Sequence, residues 1–370
     1  MRIAILTLPL HTNYGGILQA FALQTVLERM GHEVVVVDLD QTLRRGAWVQ
    51  TKEWAKYAVK RYLLRREAFF MSDRQRNLER EEREQHTRAF IRRHIHTCMV
   101  RNLTRDFPLD VDAIVVGSDQ VWRKPYFCDM YGCGIENAFL AFTEGRDMKR
   151  IAYAASFGTD DLEYDEEETA RCRKALACFD AVGVREASAV NLCARQLGRN
   201  DACHVLDPTM LLTKEDYVGL LKGERLEVIG ERGERLEVIG ERDERGGRGN
   251  MMCYILDNSS DKQQLVERLA RERGLTPFYA NSKTEDFKAS RQERIQPPVE
   301  QWLRGFMDAE LVVTDSFHAC VFAIIFGKPY IAVGNKERGM ARFASLEEAK
   351  RNLEAWRQSS LEFLRLKIDH

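Results

Sequence analysis

The sequence predicts an α/β fold made of two doubly wound, Rossmann-like domains. Three observations predict it: short apolar runs alternate with helical stretches, this alternation occurs in two consecutive blocks, and several runs are continuously apolar. Continuous apolar runs are typical of parallel strands covered by helices on both faces. A length of 370 residues also corresponds to about two domains. We therefore expect two parallel sheets that face each other across a cleft.

The elements follow in order along the chain. The predicted strands are Ile3–Leu8, Glu33–Asp38, Asp112–Val116, Arg150–Ser156 and Ala181–Val184 in the first block, and Met252–Leu256, Pro277–Ala280, Leu311–Thr314 and Pro329–Val333 in the second. The predicted helices between them are Gly16–Met30, Asp165–Ala177, Ala187–Leu197, Lys262–Arg273, Val299–Asp308 and His318–Phe326. We place the N-terminal domain at residues 1–205, the C-terminal domain at 206–345, and a closing helix in 346–370.

Two segments differ in composition from the rest. Residues 223–232 read GERLEVIGER and residues 233–242 repeat the same ten letters. We interpret residues 223–250 as a surface insert or flexible linker, because they contain too few apolar residues to form a core. Residues 50–105 form a predicted helical insertion, and residues 56–105 hold 14 basic and 6 acidic residues. This stretch is either a solvated basic face or a surface that contacts an anionic partner, such as a lipid headgroup or a charged glycan.

Composition excludes several classes of protein. The formal net charge of −1 argues against a nucleic-acid binder. No apolar run is long enough for a transmembrane helix. The first residues are typical of a strand rather than of an export signal. We therefore expect a cytoplasmic protein, which could also lie at the inner face of the membrane. The nine cysteines are scattered and show no metal-ligand spacing. We therefore expect no metal and no cofactor.

Candidate site residues follow the predicted strands, because ligands of open α/β sheets bind at the carboxyl ends. Asn13, Tyr14 and Gly15 open a helix after the first strand, where backbone N–H groups can meet an anion or simply form a tight turn. Asp119, Gln120 and Trp122 follow the third strand. Their polar groups and aromatic ring suit a sugar, although Ser118 or Asp119 can equally cap a helix.

Two further positions carry charge at strand ends. Arg185 follows the strand Ala181–Val184 and offers a planar fork to carboxylate or phosphate, or a surface ion pair with Glu186. His318 falls in the first turn of a strongly apolar helix that Asp315 or Ser316 caps. A neutral imidazole at the positive end of a helix suits a proton acceptor.

Five segments together resemble the polysaccharide pyruvyl transferase family. They are Asn13-Tyr14-Gly15-Gly16-x-Leu18-Gln19, Gly117-Ser118-Asp119-Gln120-Val121-Trp122, Val184-Arg185-Glu186, Leu206-Asp207-Pro208-Thr209 and Asp315-Ser316-Phe317-His318. The resemblance implies a glycosyltransferase-B-like fold. It also implies that the pyruvyl group of phosphoenolpyruvate is transferred to saccharide hydroxyls, where it forms a ketal. This reaction would belong to the synthesis of cell-surface polysaccharide such as capsule or exopolysaccharide. It implies phosphoenolpyruvate as co-substrate and a saccharide or lipid-linked glycan as acceptor.

The resemblance also implies roles for particular residues. His318 would be the catalytic histidine, and Arg185 would hold the anionic groups of the donor. From the residues at the strand ends, we further expect Asp119 to be catalytic and Ser316 to contact the donor. Asn13, Tyr14, Gly15, Gln120 and Trp122 would contact the acceptor. Well-studied members carry Arg-Leu-His where this chain has Ser316-Phe317-His318. Ser316 thus replaces an arginine that binds the donor, and Lys336 and Arg338 are our candidates to supply its positive charge. Two alternatives remain: a nucleotide-sugar glycosyltransferase of the same architecture, and a catalytically inactive glycan-binding relative.

Overall fold

A computed structural model of the chain describes residues 1–65, 70–108, 110–221, 227–229, 235–237, 250–257, 259–280, 282–284, 286, 289–334 and 341–369. Seven parallel strands form the first sheet, in the spatial order β3-β2-β1-β4-β5-β6-β7. They are β1 (Arg2–Leu6), β2 (Glu33–Leu39), β3 (Thr97–Val100), β4 (Ala113–Val116), β5 (Lys149–Ala155), β6 (Ala181–Val184) and β7 (Cys203–His204). The strand order reverses between β1 and β4, which is the position where doubly wound sheets bind ligands.

The second sheet contains four parallel strands in the order β11-β10-β12-β13. An antiparallel pair, β8 with β9, precedes it in the chain, and each of its strands comes from one copy of the ten-residue repeat. The bounds are β8 (Glu227–Ile229), β9 (Arg235–Glu237), β10 (Asn250–Tyr254), β11 (Thr276–Tyr279), β12 (Leu311–Thr314) and β13 (Tyr330–Ala332). The first sheet thus ends at β7 and the second begins at β10.

Helices cover both sheets. In chain order they are α1 (Tyr14–Arg29), α2 (Ala47–Ala58), α3 (Asp73–His94), α4 (Leu103–Asp106), α5 (Lys124–Tyr131), α6 (Glu166–Leu176), α7 (Ala187–Arg195), α8 (Lys214–Gly219), α9 (Ser260–Arg273), α10 (Arg291–Arg294), α11 (Val299–Asp308), α12 (Phe317–Ile325) and α13 (Ala341–Asp369). A π-helical turn, Val59–Leu63, continues α2, and α13 is kinked at Asn352. Among the described helices, none has both the length and the apolar character needed to cross a membrane.

The central strands of the first sheet, β1, β4, β5 and β6, are buried on both faces, as their apolar runs predict. In β1, Ile3 and Ile5 point into one apolar cluster, whereas Ala4 and Leu6 point into another on the opposite face. The first of these clusters also contains residues of the second sheet and its helices, including Trp302 of α11. The two domains therefore share one continuous core along their facing sides.

The last helix returns to the first domain. The Ser360 hydroxyl accepts the backbone N–H of Leu206 at 3.0 Å, and Lys149 Nζ donates to the backbone oxygen of Ile368 at 2.7 Å. The ring of Phe363 lies where a Cβ on Gly183 of β6 would come within 3.2 Å of it. Helix α13 thus closes the back of the first sheet.

The predicted fold is confirmed: the chain is an α/β protein with two Rossmann-like, GT-B-like domains and a closing C-terminal helix. The predicted strands and helices are present with shifted ends, and Ala181–Val184, Leu311–Thr314 and Val299–Asp308 have the predicted bounds. Strands β3 and β7 were not predicted. Of the predicted insert at 223–250, only strands β8 and β9 and the first residue of β10 lie among the described residues.

Candidate active site

Arg185 lies directly after β6, and its guanidinium is buried at the carboxyl edge of the first sheet. Its Nε lies 3.2 Å from Glu186 Oε1, Nη1 lies 3.0 Å from Asp207 Oδ2, and Nη2 lies 3.4 Å from Asp119 Oδ1. The ring of Phe317 approaches from the other domain, with its centroid 4.6 Å from Arg185 Cζ. Burial alone would lower the pKa of Arg185, but the surrounding carboxylates raise it above its usual value. The guanidinium is therefore charged.

Asp207 follows β7 and joins the two halves of the site. Its Oδ2 accepts from Arg185 and lies 3.5 Å from His318 Nε2. Its Oδ1 accepts the backbone N–H of Thr209 at 3.1 Å and the Thr209 hydroxyl at 2.7 Å, and Ser118 Oγ donates to Oδ2 at 3.3 Å. Burial alone would raise the pKa of Asp207, but His318 and Arg185 lower it well below its usual range. This carboxylate is thus ionised and fixed in place.

His318 is the second residue of α12, and its imidazole is buried against the first domain. A Cβ on Gly15 would lie only 2.2 Å from His318 Nδ1 and 2.4 Å from Cγ, so the ring rests directly on the glycine backbone of α1. His318 Nε2 forms no hydrogen bond within the part of the chain that the structure describes. The imidazole therefore touches α1 on one side and faces Asp207 on the other, across the domain interface.

The start of α1 contacts the second domain. Tyr14 is fully buried, its ring stacks on Trp302 with centroids 5.2 Å apart, and its hydroxyl donates to the backbone oxygen of Pro297 at 2.7 Å. In this conformation Tyr14 is an interface residue, and its predicted contact with the acceptor stays a prediction. Asn13 is exposed, and its side chain does not cap the helix.

The loop after β4 contains residues with different environments. Asp119 has a left-handed φ of 64°, which a residue other than glycine adopts at a cost, and it faces the Arg185 guanidinium. Gln120 is buried beside it. Trp122 is fully buried, stacks on Phe139 with centroids 4.6 Å apart, and donates from Nε1 to a backbone oxygen at 3.1 Å. Trp122 thus offers no ring face to a ligand in this conformation, and its contact with the acceptor stays a prediction.

The start of α12 shows which residues have structural roles. Ser316 caps the helix through its hydroxyl, the alternative that the sequence had left open. Asp315 accepts from Lys262 Nζ at 2.8 Å and from backbone N–H groups after β10, so it fixes that loop. Lys336 and Arg338, predicted to supply positive charge, lie outside the described residues.

A second polar cluster, which the sequence analysis missed, lies at the carboxyl ends of β1 and β2. Burial and the charges of Arg88 and Arg83 lower the pKa of His11 to about 4. Arg88 Nη1 donates to the buried Asp38 at 2.7 Å. Both arginines belong to α3 of the basic insertion. The sequence predicts that this segment lies on the outside of the molecule. Asp38 could have indicated otherwise, because a carboxylate at the end of a buried strand needs a buried cation.

The site is closed in this conformation. A cavity of about 10 Å³ lies beside Arg185 and Asp207, and Phe317 and Trp356 also line it. This volume holds roughly one water molecule. Arg185 is buried in this conformation, so a substrate can reach its guanidinium only after groups that cover it move.

The site lies where the carboxyl ends of the two sheets meet, and it consists of charged and hydrogen-bonding side chains. Within the described ranges, no group of three or more His, Cys, Asp or Glu side chains is arranged to hold a metal ion. These features define a two-domain, GT-B-like α/β protein with a candidate active site at its domain interface. The sequence model of the family described as polysaccharide pyruvyl transferase matches residues 13–337. The chain therefore belongs to the polysaccharide pyruvyl transferase family, as its motifs predicted, and that family is one of transferases.

Comparison with solved structures found matches of low identity that extend over most of the chain. UDP-GlcNAc 2-epimerase from Neisseria meningitidis is 9% identical, with 98% of this chain and 93% of that chain covered and a TM-score of 0.46. A putative UDP-N-acetylglucosamine 2-epimerase from Listeria monocytogenes is 11% identical, with coverage of 97% and 90% and a TM-score of 0.46. The glycosyltransferase SsfS6 from Streptomyces sp. SF2575 is 12% identical, with coverage of 100% and 96% and a TM-score of 0.31. No curated protein matched the chain.

Proposed function

We propose that this protein transfers the pyruvyl group of phosphoenolpyruvate to two hydroxyls of a saccharide and so forms a cyclic ketal. The observation that carries this proposal is the convergence of Arg185 and His318 on one oxygen of Asp207, at 3.0 and 3.5 Å. A fixed cation and an oriented imidazole are the two groups that an anionic donor and a hydroxyl nucleophile require. The family of the chain supports the same reaction class.

The donor binds at Arg185 in this proposal. Phosphoenolpyruvate carries a carboxylate and a phosphate, and the guanidinium fork matches either group. Of the three carboxylates around Arg185, Asp119 makes the longest contact, at 3.4 Å. We expect the donor to replace Asp119 at Nη2 after the domains open. Released from the guanidinium, Asp119 can then orient the acceptor together with Asn13 and Gln120.

Positive charge beyond Arg185 is required for an anionic donor. Asp119, Glu186 and Asp207 together carry more negative charge than one guanidinium neutralises. Lys336 and Arg338 remain our candidates for this charge, in place of the cation that family members carry at the position of Ser316. The N-terminus of α12 adds a partial positive charge, because its first N–H groups point toward the site.

The reaction proceeds by an addition to the C2–C3 double bond of the donor, followed by a substitution at C2. The first saccharide hydroxyl forms a bond to C2 while C3 gains a proton, so the enol carbon becomes a methyl group. The C2–O bond to phosphate then breaks, and the second hydroxyl forms the second C–O bond. The first hydroxyl loses one proton while C3 gains one, so these two protons cancel. The proton of the second hydroxyl leaves with the phosphate.

His318 is the proton carrier in this scheme. Its Nε2 has no hydrogen-bond partner among the described residues, and Asp207 lies 3.5 Å from that nitrogen. A carboxylate beside an imidazole stabilises the charged form that appears when the ring takes a proton. Base catalysis by a positioned group contributes about 10²–10⁴-fold to a rate.

The test measures phosphate release from phosphoenolpyruvate in the presence of saccharide acceptors. We expect His318→Gln to lower the rate by about 10²–10⁴-fold without loss of the fold. His96→Gln is the matched control, because the His96 side chain is exposed and contacts only the surface residue Glu28 among the ion pairs of the structure. Arg185→Lys should raise the Michaelis constant for the donor, because lysine lacks the planar fork.

Other outcomes identify the alternatives. A catalytically inactive, glycan-binding relative is favoured by one observation, namely that all three nitrogens of Arg185 already face carboxylates. Glycan binding without phosphate release from any donor would establish that alternative. Stabilisation against heat by nucleotide sugars and not by phosphoenolpyruvate would indicate a glycosyltransferase. Equal rates for wild type and His318→Gln would refute the catalytic role of the histidine.

The cellular setting follows from the same proposal. The acceptor is a saccharide or a lipid-linked glycan used for a capsule or an exopolysaccharide, and the reaction takes place in the cytoplasm, where phosphoenolpyruvate is made. No metal or organic cofactor takes part in the scheme, because the two substrates supply every atom and electron of the products.

A further inference from the structure

The segment formed by α2 and its π-helical continuation, residues 47–65, concentrates exposed apolar side chains. Eleven large hydrophobic residues are exposed among the described residues, and six of them lie in this segment: Trp48, Val49, Trp54, Val59, Tyr62 and Leu64. Trp48 is 75% exposed and Tyr62 is 74% exposed. Helix α2 has no buried residue. Single exposed apolar side chains are common on proteins, but six within one short segment indicate a contact surface.

Basic residues are interleaved with these apolar ones. Lys52 lies one helical turn after Trp48, with its Nζ 5.3 Å from the Trp48 ring, and Lys56 follows after another turn. Val59 and Tyr62 continue along the same side of the helix, at the spacing of one helical face. The segment holds five basic residues and one acidic residue. Its outer face is thus both aromatic and positively charged.

The opposite side of α2 is attached to the protein by polar contacts. Arg45 Nη1 donates to Glu53 at 2.6 Å, and Arg45 Nε donates to Asp73, at the start of α3, at 2.8 Å. Tyr57 packs near Phe70, with ring centroids 6.0 Å apart. The helix is therefore held at its inner side, and its outer side faces away from the protein.

Helix α3 differs from α2, although both belong to the predicted basic insertion. Two of its arginines pair with acidic groups elsewhere in the molecule: Arg88 with Asp38, and Arg93 with Glu300 of the C-terminal domain at 3.5 Å. The backbone oxygen of Arg83 also accepts the N–H of a residue before α11, at 3.0 Å. Helix α3 is thus a bridge between the domains. The exposed apolar residues cluster in residues 47–65, so this segment, rather than the whole of 56–105, is the candidate surface for an anionic partner.

We propose that residues 47–65 are the docking surface of this protein for an anionic lipid bilayer. Tryptophan and tyrosine favour the interface between headgroups and acyl chains, and lysines beside them can bind anionic headgroups while their stems stay in apolar surroundings. A face that combines both residue types matches a bilayer surface in polarity and in charge. Nucleic acid fits less well, because the chain as a whole has a net charge of −1 and exposed Val59 and Leu64 have no role on a phosphate backbone.

This surface is linked to the candidate active site by α3. The first residue of α3, Asp73, accepts a hydrogen bond from Arg45, which also holds α2. Arg88 lies about 22 Å further along the axis of α3, at the end of β2 beside His11. A bilayer bound at residues 47–65 would therefore lie a short distance from the cleft. That placement suits an acceptor whose saccharide is carried on a lipid.

The experiment measures partition of the full-length protein onto vesicles without substrates, so its result does not depend on the proposed reaction. We expect binding to vesicles that contain phosphatidylglycerol, and weak binding to vesicles of phosphatidylcholine alone. Each basic residue near an anionic surface raises the partition constant about fivefold, so Lys52→Gln, Lys56→Gln and Lys60→Gln together should lower it about a hundredfold. Trp48→Ser with Tyr62→Ser should lower binding to anionic vesicles at high salt.

The matched control removes three exposed basic residues from α9, as Arg268→Gln, Arg271→Gln and Arg273→Gln, and should leave vesicle binding unchanged. Equal loss of binding in both triple variants would indicate general electrostatic attraction and overturn the proposal. Absence of binding to anionic vesicles would also overturn it. Self-association that disappears in Trp48→Ser with Tyr62→Ser, in sedimentation experiments without lipid, would assign the surface to a second copy of the chain instead.

Discussion

Replacement of Gly15 by alanine tests the contact on which the candidate site depends. The added Cβ would lie 2.2 Å from His318 Nδ1, whereas ordinary contact begins near 3.4 Å, so the imidazole or the whole C-terminal domain must retreat by about 1.2 Å. A displacement of about 1 Å at a catalytic group can lower a rate 10²-fold, and overpacking costs about 1–3 kcal/mol. We therefore expect Gly15→Ala to lower both the rate of phosphate release and the free energy of unfolding.

Gly16 provides the control within the same turn of α1. A Cβ on Gly16 would lie 3.3 Å from the exposed Asn13 side chain, which can move. Alanine is favoured over glycine in helices by up to about 1 kcal/mol, so Gly16→Ala should leave the protein as stable as the wild type or slightly more stable. Both variants are compared by urea unfolding and by the phosphate-release assay. If Gly15→Ala behaves like Gly16→Ala in both measurements, the imidazole does not rest on α1 as described.

Three further predictions concern the same interface. Burial and two neighbouring arginines lower the pKa of His11 to about 4, whereas its value in the unfolded chain is near 6.5. The folded protein therefore favours neutral His11. The stability that this group contributes is complete above pH 7 and is lost as the pH falls toward 4. Unfolding at pH 7.5 and pH 5 should show a loss of at most about 2 kcal/mol from this group, and His11→Asn should remove that part of the pH dependence. Phe317→Leu should lower the free energy of unfolding by about 1–2 kcal/mol, because the ring 4.6 Å from Arg185 Cζ is lost, and an unchanged value would contradict the cation–π contact. Tyr14→Phe should cost about 1 kcal/mol through loss of the 2.7 Å hydrogen bond to Pro297, and unfolding measured at pH 7 would show whether it does.

The sequence was sufficient for the architecture because the long strands and helices have clear patterns. Continuous apolar runs in β1, β5 and β12 identify buried parallel strands, and their carboxyl ends identify the edge where Arg185 and His318 lie. The two missed strands are short, and β7 contains only Cys203 and His204. No periodicity can be read from two residues, so the position of Asp207 at a strand end could not be predicted.

Other features depend on tertiary contacts that a single sequence does not contain. Trp122 has the same local sequence whether it faces a sugar or Phe139, and only packing decides between them. Arg185 likewise forms ion pairs with three carboxylates, and two of them come from segments that are distant in the chain. Only the folded structure shows that these segments meet. The basic insertion illustrates the same limit, because charge counting treats α2 and α3 alike, although Arg88 is paired inside the molecule.

The return of α13 to the first sheet has a consequence for synthesis on the ribosome. Residues 2–204, which form the first sheet, emerge long before Ser360, Phe363 and Ile368, which cover its rear face and bond to its edges. The part of that face beside β5 and β6 therefore stays uncovered during most of translation, when exposed apolar surface favours aggregation. Nascent chains stalled before residue 360 should need chaperones for solubility, whereas those released after residue 369 should not.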